Sequence, residues 1–281
     1  MLKDYIILTK PKITLLNILT AVTSYMLAGG IGLGMLILAA VGFLSVGGAS
    51  ALNHYLDRDL DSRMHRTSNR PLVAGRISPP EKALLMGLSM IIASAIIATI
   101  FFNIVTMVFT MLGSMVYLIY TVFLKRLTVW NIVIGGLAGS FAPLAGWAAN
   151  TGSVSLISLI LAVIVFLWTP GHFWPLAMRA SGDYSRVGLP MLPSVAGKEK
   201  AAVAIAISNI LSVVSALLLA FLISPVYYLI LVIPISAWLL FESIRLTLDK
   251  TETTAWRCFK ISSPWLAVVF LSTLVHLLTG M

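Results

Sequence analysis

The chain has 281 residues, of which 59% are hydrophobic and 10% charged, where a soluble domain carries roughly 25% charged residues. That composition excludes an ordinary water-soluble globule and describes a protein whose main solvent is a lipid bilayer. The formal net charge is +9. No stretch outside the apolar segments is long enough to fold into a domain that grips nucleic acid, so the basic balance needs another explanation.

A helix crosses the hydrocarbon layer with about 20 mainly apolar residues. Gly, Pro and charged residues divide the chain into nine such stretches, near 14–30, 34–53, 83–102, 105–124, 130–149, 155–178, 201–223, 226–246 and 262–280. Together they predict one membrane domain over residues 1–281. Lys3, Lys10 and Lys12 precede a first stretch too long for a signal core, and no small-residue cleavage site follows it, so the first span is expected to be retained. Cys258 is the only cysteine, which excludes an intramolecular disulfide.

All 19 Lys and Arg fall before span 1 or at the ends of spans 2, 4, 6 and 8, and none falls in the opposite set of connections. Positive charge is retained on the cytoplasmic side. The expectation is a multi-pass protein of the cell membrane with its N-terminus and functional loops cytoplasmic and its C-terminus outside. All ten Asp and Glu lie on that same side or in the helix ends beside it.

After span 2, Asn53, Asp57 and Asp61 follow at intervals of four. On a continuing helix they share one face, each about 6 Å further along the axis. Acids held this close repel unless a cation intervenes, and hard oxygen donors favour Mg²⁺ carried with a diphosphate. Asp59 points to the other face and is expected to be solvated or paired with an Arg. Arg63, Arg66 and Arg70 form a cationic wall suited to phosphate oxygens.

Span 4 ends in Tyr120-Thr-Val-Phe-Leu-Lys125-Arg126, whose two cations either reach the same anion or anchor the helix at the interface. Gly135, Gly136 and Gly139 follow at spacings that suit close helix packing better than a phosphate loop. Span 6 runs into Trp168-Thr-Pro170-Gly-His172-Phe-Trp174-Pro175 and a Gly- and Pro-rich loop with Asp183-Tyr184 and Pro190-Met-Leu-Pro193. That loop has the composition of an ordered cover, and Asp183 is a further candidate metal carboxylate. His54 and His65 either contact phosphate or face solvent, and His276 is expected at the far interface. The tryptophans at 147, 168, 174, 238, 256 and 265 suit interface anchoring or packing.

The segments 53–71, 120–136, 143–147 and 183–193 together resemble the UbiA superfamily of intramembrane prenyltransferases, and within it the haem branch, from Thr9-Lys10-Pro11-Lys12 to about Gly197. The resemblance implies an all-α fold of nine transmembrane helices around a central cavity, with Mg²⁺ held by Asn53, Asp57, Asp61 and Asp183. It implies farnesyl diphosphate as donor and haem b as acceptor rather than prosthetic group, with Arg63, Arg66, Arg70, Tyr120, Lys125, Arg126, His172 and Tyr184 at the substrates. The product expected of this branch is haem O, which serves respiratory oxidases. Val187 stands where other branches carry a second carboxylate, and Gly171 where this branch commonly has Pro, which puts two-metal coordination in question. Another acceptor, such as a quinone precursor or a lipid, is the alternative within the superfamily. A membrane haem carrier is the alternative outside it, although carriers normally place charge near the midplane.

Overall fold

The computed structural model describes residues 2–223 and 225–279, with side chains through 275 apart from that of residue 225. The chain is helical almost throughout, and no strand occurs among the described residues. Eight helices are long and apolar enough to cross a membrane: α3 (Leu33–Leu56), α5 (Glu81–Phe101), α6 (Ile104–Ile119, prolonged to Leu127), α8 (Asn131–Thr151), α9 (Leu156–Arg179), α12 (Gly197–Leu219), α13 (Pro225–Asp249) and α14 (Glu252–Thr279). A bent pair, α1 (Leu2–Leu8) and α2 (Pro11–Leu27), inclined at 55°, is long and apolar enough for a ninth crossing when its two helices are taken together. The expected spans therefore appear in order. The last helix begins ten residues before the expected 262, because Glu252 to Lys260, which carries Glu252, Arg257 and Lys260, extends the helix as a charged segment outside the apolar stretch. His276 lies outside the described side chains.

Short helices lie in the connections at the charged end: α4 (Arg58–Ser62), α7 (Lys125–Leu127), α10 (Ser181–Arg186) and α11 (Leu192–Val195). The helix starts follow local chemistry. Asn103 Oδ1 accepts from Thr106 N at 2.9 Å to cap α6, and Ser155 and Ser158 form a reciprocal capping box on α9.

Lipid offers no hydrophobic drive between helices, so close approach comes from small residues. A Cβ on Gly48 of α3 would meet the Gly87 carbonyl of α5 at 2.8 Å. A Cβ on Gly146 of α8 would meet the Ala21 carbonyl of α2 at 1.9 Å. Beside the internal prolines, polar side chains of neighbouring helices bond to the helix backbone, as burial in a membrane favours. Ser24 Oγ donates to the Pro143 carbonyl at 2.7 Å, and Gly171 N donates to Ser208 Oγ at 2.9 Å.

The largest apolar core joins α9, α12, α13 and α14 around Trp168, Tyr228, Trp265 and Phe270. Trp265 is fully buried and Trp238 exposed, so the tryptophans divide between packing and the outer surface. The connections at the charged end are tied to one another by Arg76–Asp4 at 2.8 Å, Lys250–Glu199 at 2.8 Å and Lys198–Glu252 at 3.4 Å. These exposed pairs are worth little energetically, about 0–1 kcal/mol each. They mark the face on which the loops assemble.

Candidate active site

The end of α3 carries the principal acids. The α-helix stops at Leu56 and α4 starts at Arg58, yet Asp57 N still donates to the Asn53 carbonyl at 3.0 Å and Asp61 N to the Asp57 carbonyl at 2.7 Å. The four-residue hydrogen bonds thus cross the break, so Asn53, Asp57 and Asp61 keep one face, and each is 4% exposed. Asp59 points away and pairs with Arg58 at 3.5 Å, with 86% of its side chain exposed.

Opposite them, α6 changes to a π-helical turn over Tyr120–Leu124 before α7. Such widened turns recur at functional sites because they re-aim the side chains that follow. Tyr117, Thr121 and Lys125, four residues apart, line this wall. Lys125 Nζ bonds Asp57 Oδ2, and Arg126 Nη2 lies 3.9 Å from Asp57 Oδ1. Asn53 Nδ2 donates to Asp57 Oδ2 at 2.6 Å and to Thr121 Oγ1 at 3.1 Å. Arg70 reaches back from the α4–α5 connection to Asp61 Oδ2 at 2.5 Å. Burial holds the Asp61 carboxyl above its ordinary pKa, although the Arg70 guanidinium offsets part of the rise.

A residue with no assigned role completes the cluster. Lys10, between α1 and α2, takes the left-handed conformation at φ 46° and ψ 65°. Its ammonium donates to Asn53 Oδ1 at 2.5 Å and to the Tyr117 hydroxyl at 2.8 Å. Lysine has only donors and a carboxylate only acceptors, so the amide has one chemically sensible orientation, with oxygen toward Lys10 and nitrogen toward Asp57. Sequence reasoning missed Lys10, Tyr117 and Thr121. The i, i+4, i+8 spacing of Tyr117, Thr121 and Lys125 was the available signal for two of them, but Lys10 had none beyond its neighbouring proline.

The remaining expected site residues lie on the neighbouring connections and helices. Asp183, on α10, accepts from the Arg66 backbone N–H at 3.2 Å and pairs with Arg186 at 3.6 Å, which fastens the α9–α12 connection to the arginine-bearing one. The side chains of Arg63 and Arg66 are exposed. Tyr120 stacks on Tyr117 with centroids 6.3 Å apart, and a Cβ on Gly135 would strike its ring at 2.8 Å, so this glycine does serve packing. Tyr184 packs beside the cluster of Trp174, Met178 and Met191.

His172 lies inside α9 rather than at its end. Its Nδ1 shares a 2.6 Å hydrogen bond with Ser262 Oγ, and its ring stacks between Trp168 at 4.4 Å and Phe259 at 4.5 Å. The stack continues to Trp256, 5.0 Å from Phe259, and to the Arg179 guanidinium 4.3 Å above Trp256. A ladder of four aromatic rings thus runs from the charged end into the bundle.

Among the described residues no three His, Cys, Asp or Glu side chains stand together as a metal-binding group. The chain offers instead two buried carboxylates one turn apart and an amide oxygen. Asp57 Oδ1 is buried without a hydrogen bond, an orphan acceptor of the kind a hard cation satisfies. The donor set fits Mg²⁺ and the surrounding cations fit a phosphorylated partner.

The sequence pattern of the UbiA prenyltransferase family matches residues 17–273. A protoheme IX farnesyltransferase from Sulfurisphaera tokodaii is 41% identical over 280 residues, covering 97% of this chain and 92% of that one. Among solved structures, a digeranylgeranylglyceryl phosphate synthase superposes with a TM-score of 0.79 at 20% identity, covering 99% of each chain. A UbiA homolog from Archaeoglobus fulgidus bound to DMAPP and Mg²⁺ superposes with a TM-score of 0.69 at 18% identity, covering 97% of this chain and 99% of that one. These two likenesses show the fold. With the match extending over nearly every span and the acids gathered at one mouth of the bundle, this chain belongs to the UbiA prenyltransferase family.

Proposed function

We propose that this chain transfers the farnesyl group of farnesyl diphosphate to a vinyl group of haem b, with addition of water, to give haem O. The observation that carries the reading is the 41% identity to a protoheme IX farnesyltransferase across nearly the whole of both chains. The buried cluster of carboxylates and cations supplies the chemistry such a transfer needs.

Asn53, Asp57, Asp61 and Asp183 would hold Mg²⁺, in keeping with the homolog described with DMAPP and Mg²⁺. When bound, the ion neutralises charge that accumulates on a departing diphosphate. The protein's part is positioning and electrostatics. Cleavage of the allylic C–O bond leaves negative charge on the diphosphate, and Lys125, Arg126, Arg70, Arg66 and Arg63 meet it with preorganised positive charge. Tyr120 and Tyr184 are assigned to the substrates, and the apolar bundle limits the access of water to the farnesyl cation. The haem vinyl π pair then forms the new C–C bond. Water captures the cation left on the haem side chain and releases a proton, so no strong base is required. His172, with its Nδ1 held by Ser262, is assigned to the haem through its other nitrogen.

The charged end is taken as cytoplasmic by the positive-inside rule, which puts the N-terminus and the active-site loops inside and the C-terminus outside. The product would pass to a haem O-consuming enzyme or to oxidase assembly in the same membrane.

The test is incubation of purified protein with haem b, farnesyl diphosphate and Mg²⁺, followed by mass spectrometry of the haem. The expected product is haem carrying one farnesyl group and one water. Unmodified haem, in a preparation that prenylates a quinone precursor or a lipid, would overturn the haem assignment.

A further inference from the structure

The cluster is already filled with cations. Asp57 and Asp61 are the two carboxylates buried at its centre, and Lys125, Arg126 and Arg70 stand on their oxygens. Lys10 adds a fourth cation and occupies Asn53 Oδ1, the only atom of that side chain able to ligate a metal. With Lys10 protonated, two negative charges face four positive ones. A bare divalent cation entering here meets net repulsion and finds its amide ligand taken. A diphosphate brings several negative charges, reverses the balance and offers Lys10 a stronger acceptor than a neutral amide.

From this geometry we propose that Lys10 is a positioning residue that makes divalent-cation binding conditional on diphosphate. It holds the amide oxygen of Asn53 until a diphosphate draws the ammonium away. The site is then loaded with metal and diphosphate together, and free Mg²⁺ does not occupy it alone. The left-handed backbone at Lys10 is consistent with a side chain held at a required place, since lysine gains nothing locally from that conformation. The inference rests on the diphosphate reading above and adds the order in which the parts assemble.

The experiment titrates Mn²⁺ into purified protein and follows bound ion by electron paramagnetic resonance at matched free Mn²⁺, with and without inorganic pyrophosphate. Wild type is expected to bind Mn²⁺ at least about 10-fold more tightly when pyrophosphate is present. Lys10→Met keeps the length of the side chain and removes its charge. It should bind Mn²⁺ alone at least about 10-fold more tightly than wild type, and pyrophosphate should add less. Lys10→Gln, which still donates a hydrogen bond, serves as the second variant if Lys10→Met does not fold, and should show the same direction. A merely structural role for Lys10 would lower the melting temperature without raising affinity for Mn²⁺. The inference is overturned if wild type binds Mn²⁺ equally well without pyrophosphate, or if folded variants bind it no better than wild type. If wild type binds no Mn²⁺ even with pyrophosphate, the diphosphate reading fails and takes the inference with it.

Discussion

Asn53 Nδ2 donates to Asp57 Oδ2 at 2.6 Å, one helical turn along the chain, and the same oxygen accepts Lys125 Nζ. Asp57 therefore has one oxygen fully engaged and the other, Oδ1, buried without a hydrogen bond. That division of labour within one carboxylate is the basis of the first two predictions.

Replacing Asn53 by Asp should be more damaging than its small change in volume suggests. It removes the donor to Asp57 and places a like charge against the same oxygen. We expect haem farnesylation to fall at least about 100-fold, as for other losses of positioned electrostatics, with the helical circular dichroism retained. Turnover measured from the mass spectrum of the haem is the check, and near wild-type turnover would remove Asn53 from the site.

Breaking the Lys125–Asp57 pair should cost stability as well as activity. Both side chains are nearly buried, at 7% and 5% exposed, and the loss of one partner of a buried pair costs about 3–5 kcal/mol. Lys125→Met should therefore melt well below wild type. The double variant Lys125→Met with Asp57→Leu should recover much of that loss in a thermal melt and still transfer no farnesyl group. A double variant as unstable as the single one would mean that the charges are not paired.

Gly135→Ala tests the π-helical turn. The added methyl group would stand 2.8 Å from the Tyr120 ring, in a position where the ring cannot move without disturbing its stack on Tyr117. Displacement by a fraction of an ångström carries over to Thr121 and Lys125, and misplacements of this size cost on the order of 10- to 100-fold in rate. We expect a lower kcat with little change in melting temperature. An unchanged kcat would show that the site does not depend on this turn.

His172→Phe keeps the aromatic ladder and removes the ring nitrogens. If His172 serves the haem, the variant should bind haem b at least about 10-fold more weakly by its absorption spectrum, while pyrophosphate-dependent Mn²⁺ binding at the other cluster stays as in wild type. Equal haem affinity would confine His172 to packing between Trp168 and Phe259.

Removal of divalent metal with a chelator should abolish farnesyl transfer and leave haem binding in place, because the aromatic ladder proposed for the haem and the acid cluster share no side chain. Asp57→Ala should behave in the same way. Turnover that persists in chelator would overturn the metal reading.

The sequence by itself determined the nine apolar crossings, the gathering of charge at one end, and the shared face of Asn53, Asp57 and Asp61. These depend on local physics: the length of hydrocarbon to be crossed, the cost of moving charge through it, and the 3.6-residue period that survives even the break at Asp57. The tertiary structure decided the partners. Lys10 meets Asn53 across 43 residues and Tyr117 across 107, Lys125 meets Asp57 across 68, and His172 shares its hydrogen bond with Ser262 across 90. It also decided that Asp183 fastens one loop to another by accepting from the Arg66 backbone N–H. Helix order and crossing geometry follow from where glycines let backbones approach, as at Gly48 with Gly87 and Gly146 with Ala21. Such contacts join residues that no periodicity along the chain relates, so which cation faces which carboxylate became visible only once the bundle was closed.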